Sequence, residues 1–350
     1  MRPTKTWICP ALLAAALAAF AAAVLAVGGC ENGAAGPMWS MRVSPRRQPW
    51  NTARGDGVLL ATRHYRIYAT ADNRMLVNYL PGFMEAARRN YLRITGLPPE
   101  PTPEGLPIYL MGSREEWAAL TREVVGPQRA DAYLQISAGG YCYKKTCFFW
   151  DIGGLGTFAV AAHEGLHQYL KYRLDDQLPM WLEEGLCVTA EGYEIDGDRV
   201  RFTPGRNVHR WSNLRNAIVQ GYWIPTGKLL AMDAGHAVGT GEADRAVGYY
   251  GQLWALVRFL RSEDRYRRGL QRLLSDAEAG RLHAALGVSR QDLARLRRHG
   301  RRYNQAISTR VFRRYITDDL DAFERAYRAF ARRLVDLDPQ AARSPGPSRG

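Results

Sequence analysis

The spacing of apolar residues changes along the chain and predicts a small mixed lobe followed by helices. Residues 64–70 alternate apolar and polar side chains, as a half-buried strand does, whereas residues 76–91 have helical spacing. A short apolar run at 107–111 predicts a second strand after a Pro-rich loop. These signals indicate a β-α-β unit in which folding starts near Val58.

A helix start signal follows this unit. Ser113 and Glu116 have the spacing of a capping box, in which each side chain accepts a hydrogen bond from the other residue's backbone amide. Residues 132–150 are strand-like and rich in aromatic residues, and the pattern after them stays helical. Helices are expected at about 157–173, 179–191, 212–220, 244–262, 265–279, 290–303 and 318–336.

These patterns together predict an α+β fold. A mixed α/β lobe is expected at 56–150, with antiparallel strands that pack on a mostly helical body at 151–338. Residues 30–55 are rich in Gly, Pro, Arg and Ser without periodicity, which is typical of a flexible tether. Residues 339–350 have a similar composition and are expected to form a disordered tail.

The first 29 residues have the composition of an export signal. Arg2 and Lys5 precede an uncharged run rich in Ala and Leu, which ends in Val27-Gly28-Gly29-Cys30. That ending resembles the lipobox of bacterial lipoproteins, which implies cleavage before Cys30 and lipidation of Cys30. A cleaved secretory signal and a retained membrane helix are the alternatives. We expect an exported protein of the cell envelope, anchored to the membrane through Cys30.

The chain is strongly basic, with a formal charge of +14 at pH 7. Loss of Arg2 and Lys5 with the signal would leave +12. Nucleic acid is the usual partner of such a charge, but export argues against it, and the arginines are dispersed, with their densest run at 290–314. We interpret the charge as solvated helix faces attracted to anionic lipid or wall polymer, and we expect no nucleic-acid partner.

Three cysteines remain in the mature part, because Cys9 and Cys30 belong to the signal. Cys142 and Cys147 have the spacing of a hairpin whose strands a disulfide would cross-link, which an oxidising compartment permits. Two packed free thiols are the alternative. Cys187 is then the odd cysteine, and we interpret it as a small buried residue.

A His-Glu-x-x-His motif at His163, Glu164 and His167 indicates a metal site. It lies in an apolar helical stretch, where residues four apart stand above one another, so both imidazoles can reach one ion. Glu164 points beside the ion and is placed to accept a proton from water that the metal activates. Two histidines satisfied by hydrogen bonds within the core are the alternative.

A catalytic zinc needs a third protein ligand, and an acidic pair follows after a reversal of the chain. Pro179 suits the first turn of a helix that carries Trp181, Glu183 and Glu184. Adjacent helix positions differ by about 100° in direction, so only one of the two carboxylates can face the metal.

The motif followed by Trp181-Leu-Glu-Glu184-Gly185 resembles the glu-zincin metallopeptidases, and most closely the bacterial peptidase-MA-like family. The resemblance implies a zincin-like fold in which Glu184 is the third ligand of a Zn²⁺ ion, beside His163 and His167. The chain departs from the related zinc aminopeptidases, because the gap between His167 and Glu184 is shorter and their exopeptidase recognition motif is not evident.

A later helix of the same group brings a tyrosine to the active site, and residues 249–260 resemble that helix. We favour Tyr250 over Tyr249 as this tyrosine, because it directly precedes the helix proper. Packing of both tyrosines in the core is the alternative.

The resemblance implies a zinc-dependent peptidase of the envelope that acts on a peptide or protein. Glu164 would be the general base, and Tyr250 would stabilise the oxyanion. Strand residues at 133–137 or 139–143 would line the cleft and pair with an extended substrate. One alternative is a catalytically silent zinc-binding scaffold or binding protein, which has no need of Glu164. Another is a non-peptide amide hydrolase that acts on wall material.

Overall fold

Two β-sheets are present in the computed structural model, which describes residues 36–52, 55–99, 105–232, 243–296 and 300–336. The strands are β1 (Trp39–Ser40), β2 (Arg46–Thr52), β3 (Gly55–Ala61), β4 (Tyr65–Ala69), β5 (Leu106–Met111), β6 (Gly140–Tyr143), β7 (Thr146–Trp150), β8 (Tyr193–Asp196) and β9 (Arg199–Phe202). The larger sheet has the order β2-β3-β4-β5-β7-β6, and the smaller has the order β1-β9-β8. Strands β4, β5 and β7 are parallel, whereas β6 runs antiparallel to β7 at the edge.

Helices make up most of the remaining described residues. Their bounds are α1 (Arg74–Thr95), α2 (Arg114–Val125), α3 (Pro127–Leu134), α4 (Gly154–Arg173), α5 (Met180–Ala190), α6 (Val208–Val219), α7 (Thr226–Ala231), α8 (Ala243–Ser262), α9 (Asp264–Glu278), α10 (Arg290–Leu296), α11 (Gly300–Tyr315) and α12 (Leu320–Leu334). The predicted α+β class is confirmed. The helix predicted at 290–303 corresponds to α10 and to the longer α11.

Local sequence signals account for where α2 and α3 begin. Ser113 Oγ accepts a hydrogen bond from Glu116 N at 3.2 Å, so this half of the predicted capping box is confirmed. The Glu116 carboxylate accepts instead from Gly112 N, at 3.1 Å, and ties the helix to the end of β5. The strand predicted at 132–134 is wrong, because α3 extends over it from Pro127, which suits a first helical turn.

The flexible tether predicted at 30–55, and the start of folding near Val58, are wrong for the described part of that stretch. Strand β2 pairs with β3 along its whole length. Ahead of it, β1 pairs with β9, and Met41 is only 1% exposed. Composition misled the prediction because β1 is held by a strand roughly 160 residues later in the chain, which a local pattern does not reveal.

One cluster of buried apolar side chains joins the larger sheet to helices α1, α4 and α5, and it extends on both sides of the predicted boundary at residue 150. A second cluster packs α2 and α3 against β5, β6 and β7. Helix α4 contacts the helices α1 and α5 and also the strands β6 and β7 of the larger sheet. The helix that carries the metal-binding motif is therefore held on several sides.

No helix within the described residues combines the length and the apolar composition that crossing a bilayer requires. The signal predicted at 1–29, the lipidated Cys30 and the tail predicted at 339–350 lie outside the described residues.

Candidate metal centre

Helix α4 presents the His-Glu-x-x-His motif from its middle. Alanine and leucine around the motif favour helix, and Lys171 and Arg173 in the last turn complement the helix dipole. The rings of His163 and His167 lie one turn apart, with centroids separated by 5.0 Å. Both imidazoles and the Glu164 carboxylate are fully buried. The predicted orientation toward one common point is therefore present.

Helix α5 brings Glu184 to the same point. Pro179 lies directly before the first helical residue, and the chain has reversed by then. Glu184 Oε2 lies 3.4 Å from His163 Nε2, and Glu184 Oε1 lies 3.7 Å from His167 Nε2. Two atoms that each lie ~2.05 Å from one tetrahedral zinc ion are about 3.4 Å apart. The three side chains are therefore spaced as ligands of one ion would be.

Six polar atoms at this point are buried without a hydrogen-bond partner in the described structure. They are the Nε2 atoms of His163 and His167 and both carboxylate oxygens of Glu164 and Glu184. A buried polar group without a partner typically costs 1–3 kcal/mol, and more when it is charged. Their convergence fits a cation bound by His163, His167 and Glu184, with Glu164 beside it.

The other nitrogen of each imidazole faces a carboxylate. His163 Nδ1 lies 2.8 Å from Glu191 Oε1, and His167 Nδ1 lies 2.8 Å from Glu183 Oε1. Such contacts favour a proton on Nδ1 and leave Nε2 free to bind a metal. Glu183 therefore faces the outer side of His167, away from the common point. Sequence reasoning missed Glu191, although it lies seven residues after Glu184 and hence on the same side of the helix.

Helix α6 anchors Glu191 in turn. Arg210 Nε donates to Glu191 Oε2, and Arg210 Nη2 donates to Glu191 Oε1, both at 2.8 Å. Asn207, the N-cap residue of α6, adds a weaker contact to Glu191 Oε2 at 3.3 Å. A bidentate arginine fixes the plane of a carboxylate, so α6 sets the direction from which Glu191 meets His163.

Burial and paired charges shift the proton affinities of these groups. Burial alone would lower the pKa of His163, but the nearby carboxylates of Glu184 and Glu191 raise it to about 9. Burial would also lower the pKa of His167, but Cys187 and Glu184 near the ring have the larger effect and raise it. For Glu184 burial acts upward, but the two histidines hold the pKa of its carboxyl well below the usual range. Protons and a cation therefore compete for the imidazoles.

Tyr250 lies beside this centre, inside α8 and not ahead of it as predicted. Its ring covers the Arg210 guanidinium at 5.3 Å, and burial together with the negative charge of Glu184 raises its pKa. Helices α5 and α8 approach each other closely at Gly185, which has no Cβ. A Cβ at this position would lie only 2.6 Å from Val257 Cγ2. The glycine of the Trp-Leu-x-Glu-Gly segment thus lets the tyrosine helix reach the ligand helix.

Cys187 is the second neighbour that sequence reasoning did not assign to the site. It is buried, as predicted, but its thiol groups with His163 and His167, and their ligating atoms all lie within 4.8 Å of one another. Residues three apart share a helix face, so Cys187 follows Glu184 on α5. Burial raises the pKa of its thiol to about 12. The buried group of His163, His167 and Cys187 is able to hold a metal ion.

Other residues behave partly as predicted. Cys142 and Cys147 are paired across the β6–β7 hairpin, but both thiols are free, and Cys147 Sγ donates to Glu164 O at 3.2 Å. His283 is buried, and its Nδ1 lies 2.7 Å from Asp176 Oδ1. His209 is exposed, whereas His236 and His299 lie outside the described residues.

Of the two cleft segments, 139–143 contains the edge strand β6, and residues 133–134 are helical in α3. Strand β6 is buried along its length, and Lys171 Nζ donates to the carbonyl oxygen of Cys142 at 3.0 Å.

Comparisons with family models, with curated proteins and with solved structures return no match to this chain. The geometry of α4, α5, α6 and α8 therefore carries the functional argument.

Proposed function

We propose that this chain is a zinc-dependent metallopeptidase of the cell envelope. The observation that carries the proposal is the convergence of six buried, unpartnered polar atoms from His163, Glu164, His167 and Glu184. Two imidazoles and one carboxylate form a usual donor set for catalytic zinc, with a fourth position left for substrate. A carboxylate directly beside the first histidine suits hydrolysis, because it offers a base next to the metal.

Zinc, when bound, would act as a Lewis acid that polarises the scissile carbonyl and makes water reactive near neutral pH. Burial raises the pKa of Glu164, although the two histidine charges act against that shift, so Glu164 is a stronger base than an exposed glutamate. It would take the proton of the attacking water and deliver it to the leaving nitrogen. Tyr250 would donate its phenolic hydrogen bond to the carbonyl oxygen as that oxygen becomes negative.

The experiment is metal analysis of the purified chain combined with an unbiased peptide-library cleavage assay, with and without a chelator. We expect about one zinc per chain and cleavage that the chelator abolishes. His163→Ala and His167→Ala should each remove the zinc, and undiminished zinc in both variants would reject the site. Zinc with cleavage of wall amides and not of peptides would instead support a non-peptide amide hydrolase.

One observation favours the alternative of a catalytically silent zinc-binding scaffold. Cys187 lies within reach of both histidines, and a thiolate added to His163, His167 and Glu184 would close a four-ligand site. Cys187→Ala separates the two functions. The peptidase proposal expects unchanged zinc affinity and turnover, whereas a closed site would lose zinc affinity. Replacement of zinc by cobalt adds a direct readout, because a bound thiolate produces a charge-transfer absorption band.

The proposed location rests on Val27-Gly28-Gly29-Cys30, which resembles a lipobox. Mass spectrometry of the mature N-terminus should show an acylated Cys30, and Cys30→Ser should abolish attachment to the membrane. An unmodified mature N-terminus at another residue would indicate ordinary secretion, and an intact Met1 would indicate a retained helix.

A further inference from the structure

Residues 36–41, which we call the N-terminal strap, are packed onto the body directly after the proposed lipid anchor. Trp39 lies in β1, which pairs with β9, and Met41 N donates to Asp198 O at 2.7 Å. The strap also crosses α1 at close range, since a Cβ on Gly82 would lie 2.0 Å from Met41 O. The strap is therefore part of the fold and fixes where the chain leaves it.

The distance from this strap to the anchor is short. Five residues lie between Cys30 and Gly36, so the six Cα–Cα steps from one to the other reach at most about 22 Å at full extension. A folded body of about 300 residues has a radius of gyration near 19 Å and is roughly 50 Å across. An acylated Cys30 would hold the face around Gly36 next to the bilayer, and the opposite face could not reach it.

Arg93 lies where the strap meets the body, Arg261 lies beside Arg93, and Arg267 lies near Arg261. Arg93 lies close to Gly36, since a Cβ on Gly36 would lie 2.7 Å from Arg93 Nη1. Arg261 donates to backbone oxygens at the end of α1, and burial together with the charges of Arg93 and Arg267 lowers its pKa. Among the described residues, Arg93 and Arg261 form no ion pair with an acidic side chain, whereas Arg267 lies 2.6 Å from the exposed Asp264. Like charges held together repel unless an anion meets them.

We propose that the cluster of Arg93, Arg261 and Arg267 binds the phosphate headgroups of anionic phospholipids and holds the strap face against the membrane. The inference rests on the lipid anchor of the proposed function, because that anchor brings this face to the bilayer. Guanidinium groups bind phosphate with two parallel hydrogen bonds, and a half-buried tryptophan beside them suits the headgroup region. Trp39 occupies that place, with its ring 6.0 Å from the Arg93 guanidinium.

The test uses the processed chain, residues 30–350, with Cys30→Ser, so that vesicle binding reports the protein surface and not the acyl chains. Arg93→Gln with Arg267→Gln is compared with Arg313→Gln plus Arg314→Gln, two exposed arginines of α11. Binding is measured by sedimentation with phosphatidylcholine vesicles that contain one-third phosphatidylglycerol. The first pair should weaken binding about 30-fold, because each basic residue near an anionic surface contributes ~1 kcal/mol.

The control pair should change binding less than threefold, and Arg93→Lys with Arg267→Lys should retain most of the binding. Equal weakening by both glutamine pairs would mean attraction by net charge alone and would overturn the proposal. So would equal binding to purely neutral vesicles. Zinc content and peptide cleavage of the same samples report the proposed function separately. If Cys30 is acylated in the native protein but vesicle binding is unchanged in the Arg93 and Arg267 variants, the proposed phosphate-binding surface is rejected and the lipid anchor is retained.

Discussion

Replacing Glu191 with Gln removes one negative charge from beneath His163 and keeps the shape of the side chain. Glu191 accepts three contacts at 2.8 Å, one from His163 Nδ1 and two from Arg210. A glutamine offers one oxygen and one amide donor, so at least one of these contacts becomes donor against donor. Arg210, only 7% exposed, then loses its charged partner.

The structure sets the size of both effects. Leaving one member of a buried ion pair unpaired typically costs 3–5 kcal/mol, so Glu191→Gln should lower the free energy of unfolding of the zinc-free protein by about that amount. Loss of a carboxylate that orients a ligating histidine typically weakens metal binding 10–100-fold. Zinc affinity should therefore fall by that factor under conditions in which the variant stays folded.

Chemical denaturation of the zinc-free protein measures the first effect, and competition with a chelator measures the second. Glu194→Gln is the matched control, because that carboxylate is 46% exposed and lies 3.7 and 3.8 Å from its two arginine partners. Exposed pairs of this kind contribute ~0–1 kcal/mol. If Glu191→Gln matched Glu194→Gln in both measurements, the structural argument for the Arg210–Glu191–His163 chain would be refuted.

Glu164→Gln should keep zinc and lower turnover at least ~10²-fold, because the base is lost while the ligands remain; zinc analysis beside a cleavage assay checks this, and full activity would contradict it. Glu184→Gln should weaken zinc binding far more than Glu183→Gln in chelator competition, and the reverse order would reassign the third ligand. Tyr250→Phe should slow turnover ~10²–10³-fold with zinc content and thermal stability unchanged, whereas normal turnover would make the tyrosine a packing residue. Zinc binding at pH 7 should release up to two protons, because the pKa of His163 is raised to about 9 and that of His167 is also raised. Zinc affinity should therefore fall as the pH falls below about 9. Calorimetry in two buffers of different ionisation enthalpy counts the protons, and the absence of proton release would contradict this coupling.

The parts of the site that lie on one helix were predictable from spacing. His163, Glu164 and His167 need only the 3.6-residue period, and Glu184 needs a second helix whose start Pro179 marks. The structure brings these side chains together as predicted. The glycine of the sequence pattern, Gly185, has a different physical reason, since it lets α8, which carries Val257 and Tyr250, pack closely on α5.

The polar partners of the histidines were not predictable in the same way. Glu191 has the periodicity of the ligand face, but its role depends on Arg210, which meets it only because α6 packs beside the end of α5. Strand β2 was missed for a related reason, since its charged and Pro-containing sequence is held by pairing with β3 and not by local preference. Contacts set by packing between elements have no signature in a single window of sequence.

The charges around the centre explain both how two histidines are stabilised in the core and why a bound cation would be stabilised there. Arg210 neutralises Glu191. Three further carboxylates surround the two imidazoles, those of Glu164, Glu183 and Glu184. Buried negative charge is costly unless positive charge opposes it, and two protons on the imidazoles or one divalent cation supply the same two positive charges against these three carboxylates. The protons bind the Nε2 atoms that a metal would use. Protonated imidazoles therefore stabilise the buried site but cannot act as metal ligands. A divalent cation would supply the same positive charge as the two protons and would also satisfy the carboxylate oxygens of Glu184, which lie 3.4 and 3.7 Å from those nitrogens, too far for strong hydrogen bonds. The centre is therefore better matched to a metal ion than to the protons that compete with it.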